Sequence, residues 1–131
     1  MILDTSVVLD LMRDDRDAVE RVRELETDGI AQRLSAMTLY ELHWGLGYTD
    51  RSAEERAEIE AVVESRTLYD VTPEILRKAG RIGGGLRSEG LPLDDPGDEI
   101  IGATGVVHDE PVLTANPTDF RRIDGLSVDT Y

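Results

Sequence analysis

A carboxylate is chemically informative when it sits where charge is otherwise excluded. Residues 34–49, LSAMTLYELHWGLGYT, contain one formal charge, Glu41, where the overall charged fraction of 32% would give about five. Residues 1–9 contain only Asp4, and Asp98 stands just before the uncharged run Ile100–Val107. Asp119 lies in the stretch TANPTDF, three residues beyond Asn116. An ionised group in a largely buried segment is costly unless it is paired or bound to a metal. Several carboxylates in one crevice cannot all ionise without a counter-ion, which a divalent cation provides. All-oxygen ligation suits Mg²⁺ or Mn²⁺ rather than zinc, and the chain has no cysteine and only two histidines. Such a cluster with one or two metals is built for in-line attack on a phosphodiester, one metal activating water and another stabilising the leaving oxygen.

Each carboxylate also has a simpler reading. Asp4 can cap the helix that follows it. Glu41 completes Thr38-x-x-Glu41, a capping box. Asp98 lies at a helix N-terminus, where the dipole favours an anion. Asp119 or Asn116 can cap the turn begun at Pro117. His43 and His108 read as structural or exposed rather than as ligands. Capping does not explain the joint pattern, because every one of these residues falls just after a strand or at the start of a helix.

The elements that must position them alternate along the chain. Met1–Leu3 reads as a strand and Val7–Met12 as a short helix capped by Ser6 or Thr5. Ala18, Val22, Leu25 and Gly29 share one helical face, ending near the glycine. Ile30–Met37 reads as a second strand, and Thr38 opens a helix to about Gly47. Ser52-Ala-Glu-Glu55 is a capping box opening another helix, and Thr67–Val71 is a strand. Thr72-Pro73 then gives a cap and a first-turn proline for a helix that ends at Gly90. The triplet Gly83-Gly84-Gly85 within it implies close packing or a break. Asp98–His108 reads as a helix, Pro111–Thr114 as a strand, Pro117–Arg122 as one helical turn and Leu126–Val128 as a last strand. Strands and helices in this order predict an α/β fold, a three-layer arrangement with a central parallel sheet flanked by helices on both faces. Ligands in such sheets bind beyond the carboxyl ends of the strands.

The 131 residues are expected to form one domain, 1–131. Acids outnumber bases 28 to 14, giving a net charge of −14 and a pI near 4.4. All bases but Lys78 are arginine, a composition that resembles halophilic proteins. In molar salt the Debye length falls to about 3 Å, so net charge alone argues only weakly against a nucleic-acid substrate. No apolar run approaches the roughly 20 residues a membrane span needs, and the start lacks the basic region of a signal peptide. The expectation is a cytoplasmic protein that does not enter membranes.

MILDTS, the isolated glutamate in LYELHWG, GLRSEGLPLDDPGDEIIGATG and VLTANPTDFRRIDGLSV together resemble PIN-domain ribonucleases, nearest to the VapC-like toxins of toxin–antitoxin operons. The resemblance spans nearly the whole chain, and its most specific part is the C-terminal third. It implies a PIN fold, commonly homodimeric, that binds Mg²⁺ or Mn²⁺ and hydrolyses RNA. Carried over by motif, Asp4 and Asp98 are the principal metal ligands and Glu41 the third acidic member. Asp119 takes the fourth acidic position, with Thr114 and Asn116 as polar support. Asp94 and Asp95 crowd the approach to Asp98, either substituting through water or serving only as surface. A small antitoxin protein whose tail covers the active site is the implied partner. Arg121 and Arg122 can contact phosphates or pair with surrounding acids.

Two other classes compete with a nuclease. One is a non-catalytic PIN-fold scaffold, binding metal or mimicking nucleic acid, or a partner in RNA processing. The other is an aspartyl phosphoacceptor, which needs a strand-end lysine that this chain lacks, since Lys78 lies mid-helix. A P-loop nucleotidase is excluded because no Gly-Lys-Ser/Thr occurs.

Overall fold

The computed structural model describes residues 1–49 and 52–131. Five short strands form one all-parallel sheet: β1 (Ile2–Leu3), β2 (Arg33–Ser35), β3 (Thr67–Tyr69), β4 (Val112–Leu113) and β5 (Val128–Asp129). Their order is β3-β2-β1-β4-β5, so the chain winds outward from β1 in one direction and then returns to continue on its other side. Seven helices among the described residues connect and follow the strands. They are α1 (Thr5–Met12), α2 (Arg16–Thr27), α3 (Ala36–Thr49), α4 (Ala53–Glu64), α5 (Pro73–Ser88), α6 (Pro96–His108) and α7 (Pro117–Phe120).

Strand alternation sends neighbouring residues to opposite faces of the sheet. Ile2 pairs with Val112 and Leu3 with Leu113, and the two pairs enter different cores. Leu3, Leu34 and Leu113 pack with Val7, Val22 and Ile59 on the α1, α2 and α4 side. Ile2 and Val112 pack with Leu86, Ile101 and Phe120 on the α5, α6 and α7 side. The expected three layers are therefore present, with both faces of the sheet buried.

Caps explain where the expected boundaries shift. Gly29, at φ +71°, ends α2 in a Schellman motif: its amide reaches Glu26 O at 3.1 Å, and the Ile30 amide reaches Leu25 O at 2.9 Å. Ile30 thus belongs to the helix cap and is exposed, and the second strand begins at Arg33 rather than at Ile30. That strand ends at Ser35, whose hydroxyl accepts the Met37 amide at 3.1 Å, so α3 begins at Ala36. Thr38 lies inside this helix and does not open it. The glycine triplet in α5 marks close packing and no break, because the helix continues through it to Ser88. A Cβ at Gly83 would stand 2.3 Å from the Glu99 carboxylate, so the glycine lets α5 and α6 approach.

At the amino ends of the strands, Glu110 ties three of them together. Its carboxylate accepts the Met1 ammonium at 2.9 Å, Arg33 Nη1 at 3.1 Å and the Tyr69 hydroxyl. His108 stacks on Tyr69 with ring centroids 3.8 Å apart, and His43 bonds Glu60 at 2.8 Å. Burial raises the pKa of Glu110, but the tyrosine, ammonium and guanidinium outweigh it and leave the group below its ordinary 4.5. A lowered folded pKa means stability that is complete above the unfolded value and is lost as pH falls through the folded one. Glu110→Gln is expected to lower unfolding free energy by about 1–3 kcal/mol at neutral pH, with wild type and variant converging in acid. Thermal melts across that pH range test both statements.

Candidate active site

The order of the sheet reverses beside β1, and the crevice outside the carboxyl ends of β1 and β4 is where an α/β sheet binds ligands. Asp4 follows β1 directly and is 5% exposed. Its Oδ1 accepts the Thr5 amide at 2.7 Å, and this makes Asp4 the cap of α1, in place of Ser6 or Thr5. Its Oδ2 accepts the Ser6 hydroxyl at 2.6 Å and the Thr114 hydroxyl at 2.8 Å. Thr114 follows β4 and in turn accepts the Asn116 amide at 3.0 Å, while Ser6 Oγ accepts the Ala115 amide at 3.1 Å. The loop carrying Asn116 is therefore bound to Asp4 through two hydroxyls. Capping and site-building are the same act here.

Glu41 enters from the second turn of α3. With Thr38 inside the helix, the capping-box reading of Glu41 falls away, and its carboxylate is free to reach across to α1. Glu41 Oε2 accepts the Thr5 hydroxyl at 2.5 Å, and Thr38 Oγ1 lies 3.2 Å from that same hydroxyl. The other oxygen, Oε1, is buried with no partner among the described residues. Burial pushes the Glu41 pKa up to about 6; the Thr5 bond opposes this, and Asp95 and Asp4 add to it by repulsion.

Asp98 comes from the first turn of α6. That helix starts at Pro96 with Asp95 as its cap, two residues before the expected start, and Asp95 Oδ1 accepts the Gly97 amide at 2.8 Å. Asp98 is pushed up to about 7, first by burial and then by repulsion from Asp4, Asp95, Glu41 and Asp119. Asp4, Glu41 and Asp119 are thus all within electrostatic reach of Asp98, and Asp95 joins them as a fifth acid. The Asp95-Pro96 dipeptide repeats the Thr72-Pro73 signature of a cap followed by a first-turn proline, and was the available signal for its placement.

Asp119 stands at the far rim. Its Oδ1 is 3.3 Å from Arg122 Nη1, and its Oδ2 accepts the Asp94 amide at 3.3 Å. Arg122 therefore pairs with an acid, the second of its two expected roles. Asn116 occupies the cap position of α7 without using its side chain there, and its exposed amide lines the crevice with Asp94, Asp98 and Asp119. On the opposite rim, Tyr40, Trp44 and Tyr48 stand exposed at one-turn intervals along α3. Trp44 and Tyr48 stack with centroids 5.2 Å apart. The i, i+4, i+8 spacing was readable, but LYELHWGLGY reads as core because it holds so little charge.

The donor set suits a hard divalent cation: several carboxylate oxygens, one orphaned and buried, and two acids whose pKa values are raised by burial and by neighbouring carboxylates. The acids surround the crevice without closing it. Among the described residues no three carboxylate or imidazole groups form a ready cage for an ion.

The PIN domain family model matches residues 1–126. Over 119 residues the chain is 30% identical to Ribonuclease VapC19 of Mycobacterium tuberculosis, covering 91% of this chain and 90% of that one. The fold is similar to that of VapBC2 from Rickettsia felis bound to a DNA fragment from its promoter, with a TM-score of 0.87 at 16% identity over 99% of this chain and 97% of that one. It is also similar to VapBC-1 from nontypeable Haemophilus influenzae, with a TM-score of 0.80 at 23% identity, covering 98% and 96%.

Two outcomes follow from the geometry. A Cβ at Gly97 would fall 1.9 Å from Glu41 Oε1, the free end of a flexible side chain. Gly97→Ala is therefore expected to displace the Glu41 carboxylate and lower turnover by about a hundredfold. Unfolding free energy should change by less than about 1 kcal/mol, because alanine suits a helix. Activity and denaturant titration of one preparation check the pair. Secondly, the folded pKa of Asp98 lies above its ordinary 3.8. The stability that goes with protonating it is complete below that value and is lost as pH rises through about 7. Asp98→Asn should thus melt higher than wild type in alkaline EDTA, with the difference closing toward acid.

Proposed function

The chain belongs to the PIN-domain family, and we propose that it is a divalent-metal-dependent endoribonuclease, the toxin of a toxin–antitoxin pair. The observation that carries this reading is the convergence of Asp4, Glu41, Asp95 and Asp119 on Asp98 at the sheet's switch point. The similarity to a protein named as a ribonuclease over most of both chains supports the reaction class.

In this reading Asp4, Asp98 and Glu41 hold Mg²⁺ or Mn²⁺. A bound ion of this kind supplies a Lewis acid for phosphate oxygens and a water acidic enough to attack phosphorus. The protein's own groups prepare the site. Ser6, Thr114 and the Thr5 amide occupy three acceptor positions of Asp4 and fix its plane. Thr5 holds one oxygen of Glu41 and leaves the other facing the crevice side of Gly97. Arg122 and the Asp94 amide hold Asp119, the fourth acidic position of the proposed catalytic set. Asn116, whose backbone N–H is bound to Thr114, would offer its side-chain amide as a neutral donor to phosphate oxygens.

A small antitoxin protein is the proposed partner, as the similarity in fold to two VapBC proteins suggests. The exposed Tyr40, Trp44 and Tyr48 rim flanks Glu41 on the same helix, so a protein covering that rim also closes the crevice. No helix among the described residues is long and apolar enough to cross a membrane.

Cleavage of a mixed tRNA and rRNA pool in concentrated KCl tests the function. Wild type with Mn²⁺ is expected to cut at defined positions. EDTA or Asp98→Asn should reduce the rate at least about a thousandfold. Cutting that persists in Asp98→Asn would sink the assignment. No cutting by folded, antitoxin-free wild type would favour a metal-binding scaffold.

A further inference from the structure

Charge is not evenly spread over this acidic chain. Helix α5 carries Arg77, Lys78, Arg81 and Arg87 against Glu74 alone, four bases to one acid, a net +3 in a chain of −14. Each of the other six helices has at least as many acids as bases. Lys78 and Arg81, at i and i+3, share a face of α5. They line a groove that also holds Glu89, with Arg122 and Asp124 on its far wall. Among the described residues neither Lys78 nor Arg81 has a carboxylate within 4.0 Å, although the chain holds two acids for every base.

The groove's floor includes Gly85. Three successive glycines within a helix cost about 1 kcal/mol each relative to alanine. Packing accounts for Gly83, which faces Glu99, but a Cβ at Gly85 would meet nothing within 4 Å. Glycine at this position keeps the groove shallow-walled and brings backbone within reach of a ligand. Arg122 connects the groove to the chemistry, because it also lines the crevice that holds Asp98, Asn116 and Asp119.

We propose that this groove binds the sugar–phosphate backbone of single-stranded RNA on one side of the cut, with Lys78 and Arg81 as its phosphate contacts. The inference rests on the ribonuclease reading for its ligand, and it names where the rest of the strand runs. A metal-bearing acidic crevice repels every phosphate except the one the metal holds. Flanking phosphates need a separate cationic path, and α5 is the helix that supplies one.

The test measures RNA binding and cleavage separately. Asp98→Asn protein, in EDTA, is titrated with a fluorescent unstructured RNA, with and without the added pair Lys78→Gln and Arg81→Gln. The expected result is affinity weakened at least about tenfold, with the salt slope reduced by about 1.4, or 0.7 for each lost phosphate contact. In the active protein the same pair should raise KM for a long RNA and leave kcat within about twofold. A minimal substrate spanning only the cut should be unaffected. Gly85→Leu, which fills the groove without changing charge and favours helix, should reproduce the KM effect. Unchanged affinity and salt slope in the double variant would overturn the groove, even if wild type cuts RNA normally. If wild type cuts nothing while binding still depends on Lys78 and Arg81, the groove stands and the nuclease reading falls.

Discussion

Everything near the crevice depends on holding Asp4 still. It follows the central strand, with crossovers leaving on both sides, and is almost wholly buried. A buried carboxylate survives only if its lone pairs are filled. Here three groups fill them from two directions: the Thr5 amide and Ser6 hydroxyl from α1, and the Thr114 hydroxyl from just after β4, 110 residues away in sequence. Thr5 passes the constraint onward to Glu41 on α3. One aspartate thereby sets the relation between the first helix, the third helix and the loop after β4. Asp98 has no such hydrogen bonds to its side chain among the described residues, and burial and the surrounding acids raise its pKa.

The fold separates stability from this conflict. The two hydrophobic layers lie on the faces of the sheet, and the cluster around Glu110 closes its amino edge with two cations and a tyrosine hydroxyl. The unfavourable charges are confined to the carboxyl edge. The carboxylates at the two edges respond oppositely to pH for that reason: Glu110 is held low by the Tyr69 hydroxyl, the Met1 ammonium and Arg33, whereas Asp98 and Glu41 are held high by burial and neighbouring acids. Site residues can conflict locally because none of the core depends on their ionisation.

Much of this was legible because glycine, proline and alternation are local signals. Gly29, Gly90 and Thr72-Pro73 mark their helix ends, and Leu3 and Leu113 mark the faces of strands only two residues long. Strands that short carry no period of their own, which is why the second one was expected to extend over the cap at Ile30 and the helix start at Ala36. Shifting that start changes the role of Glu41 from a cap partner to a residue aimed at Thr5. Asp95 was hidden among neighbouring acids that a halophilic surface would also display. The pairings of the hydroxyl network were not readable, although Thr114 itself was marked as polar support. A serine or threonine beside an aspartate has several local partners, and the choice of Thr114 for Asp4 is made by strand pairing alone.

The same distinction governs how an acidic protein can act on an acidic polymer. Net charge sets the far field, which salt screens within about 10 Å at moderate ionic strength. Contact affinity depends instead on which charges face the ligand at a few ångströms. The acids of α2 and α4 lie away from the crevice, on helices packed against the opposite face of the sheet from α5. The crevice acids are a different population, since a bound cation converts them from repellent to attractive for one phosphate. Next to them stand Arg122, already engaged with Asp119, and Lys78 and Arg81 of α5, which have no ion pair among the described residues. A chain with twice as many acids as bases therefore needs no positive net charge to guide RNA. It needs its few unpaired cations on the wall the strand must follow, and the packing of α5 against α6 puts them there.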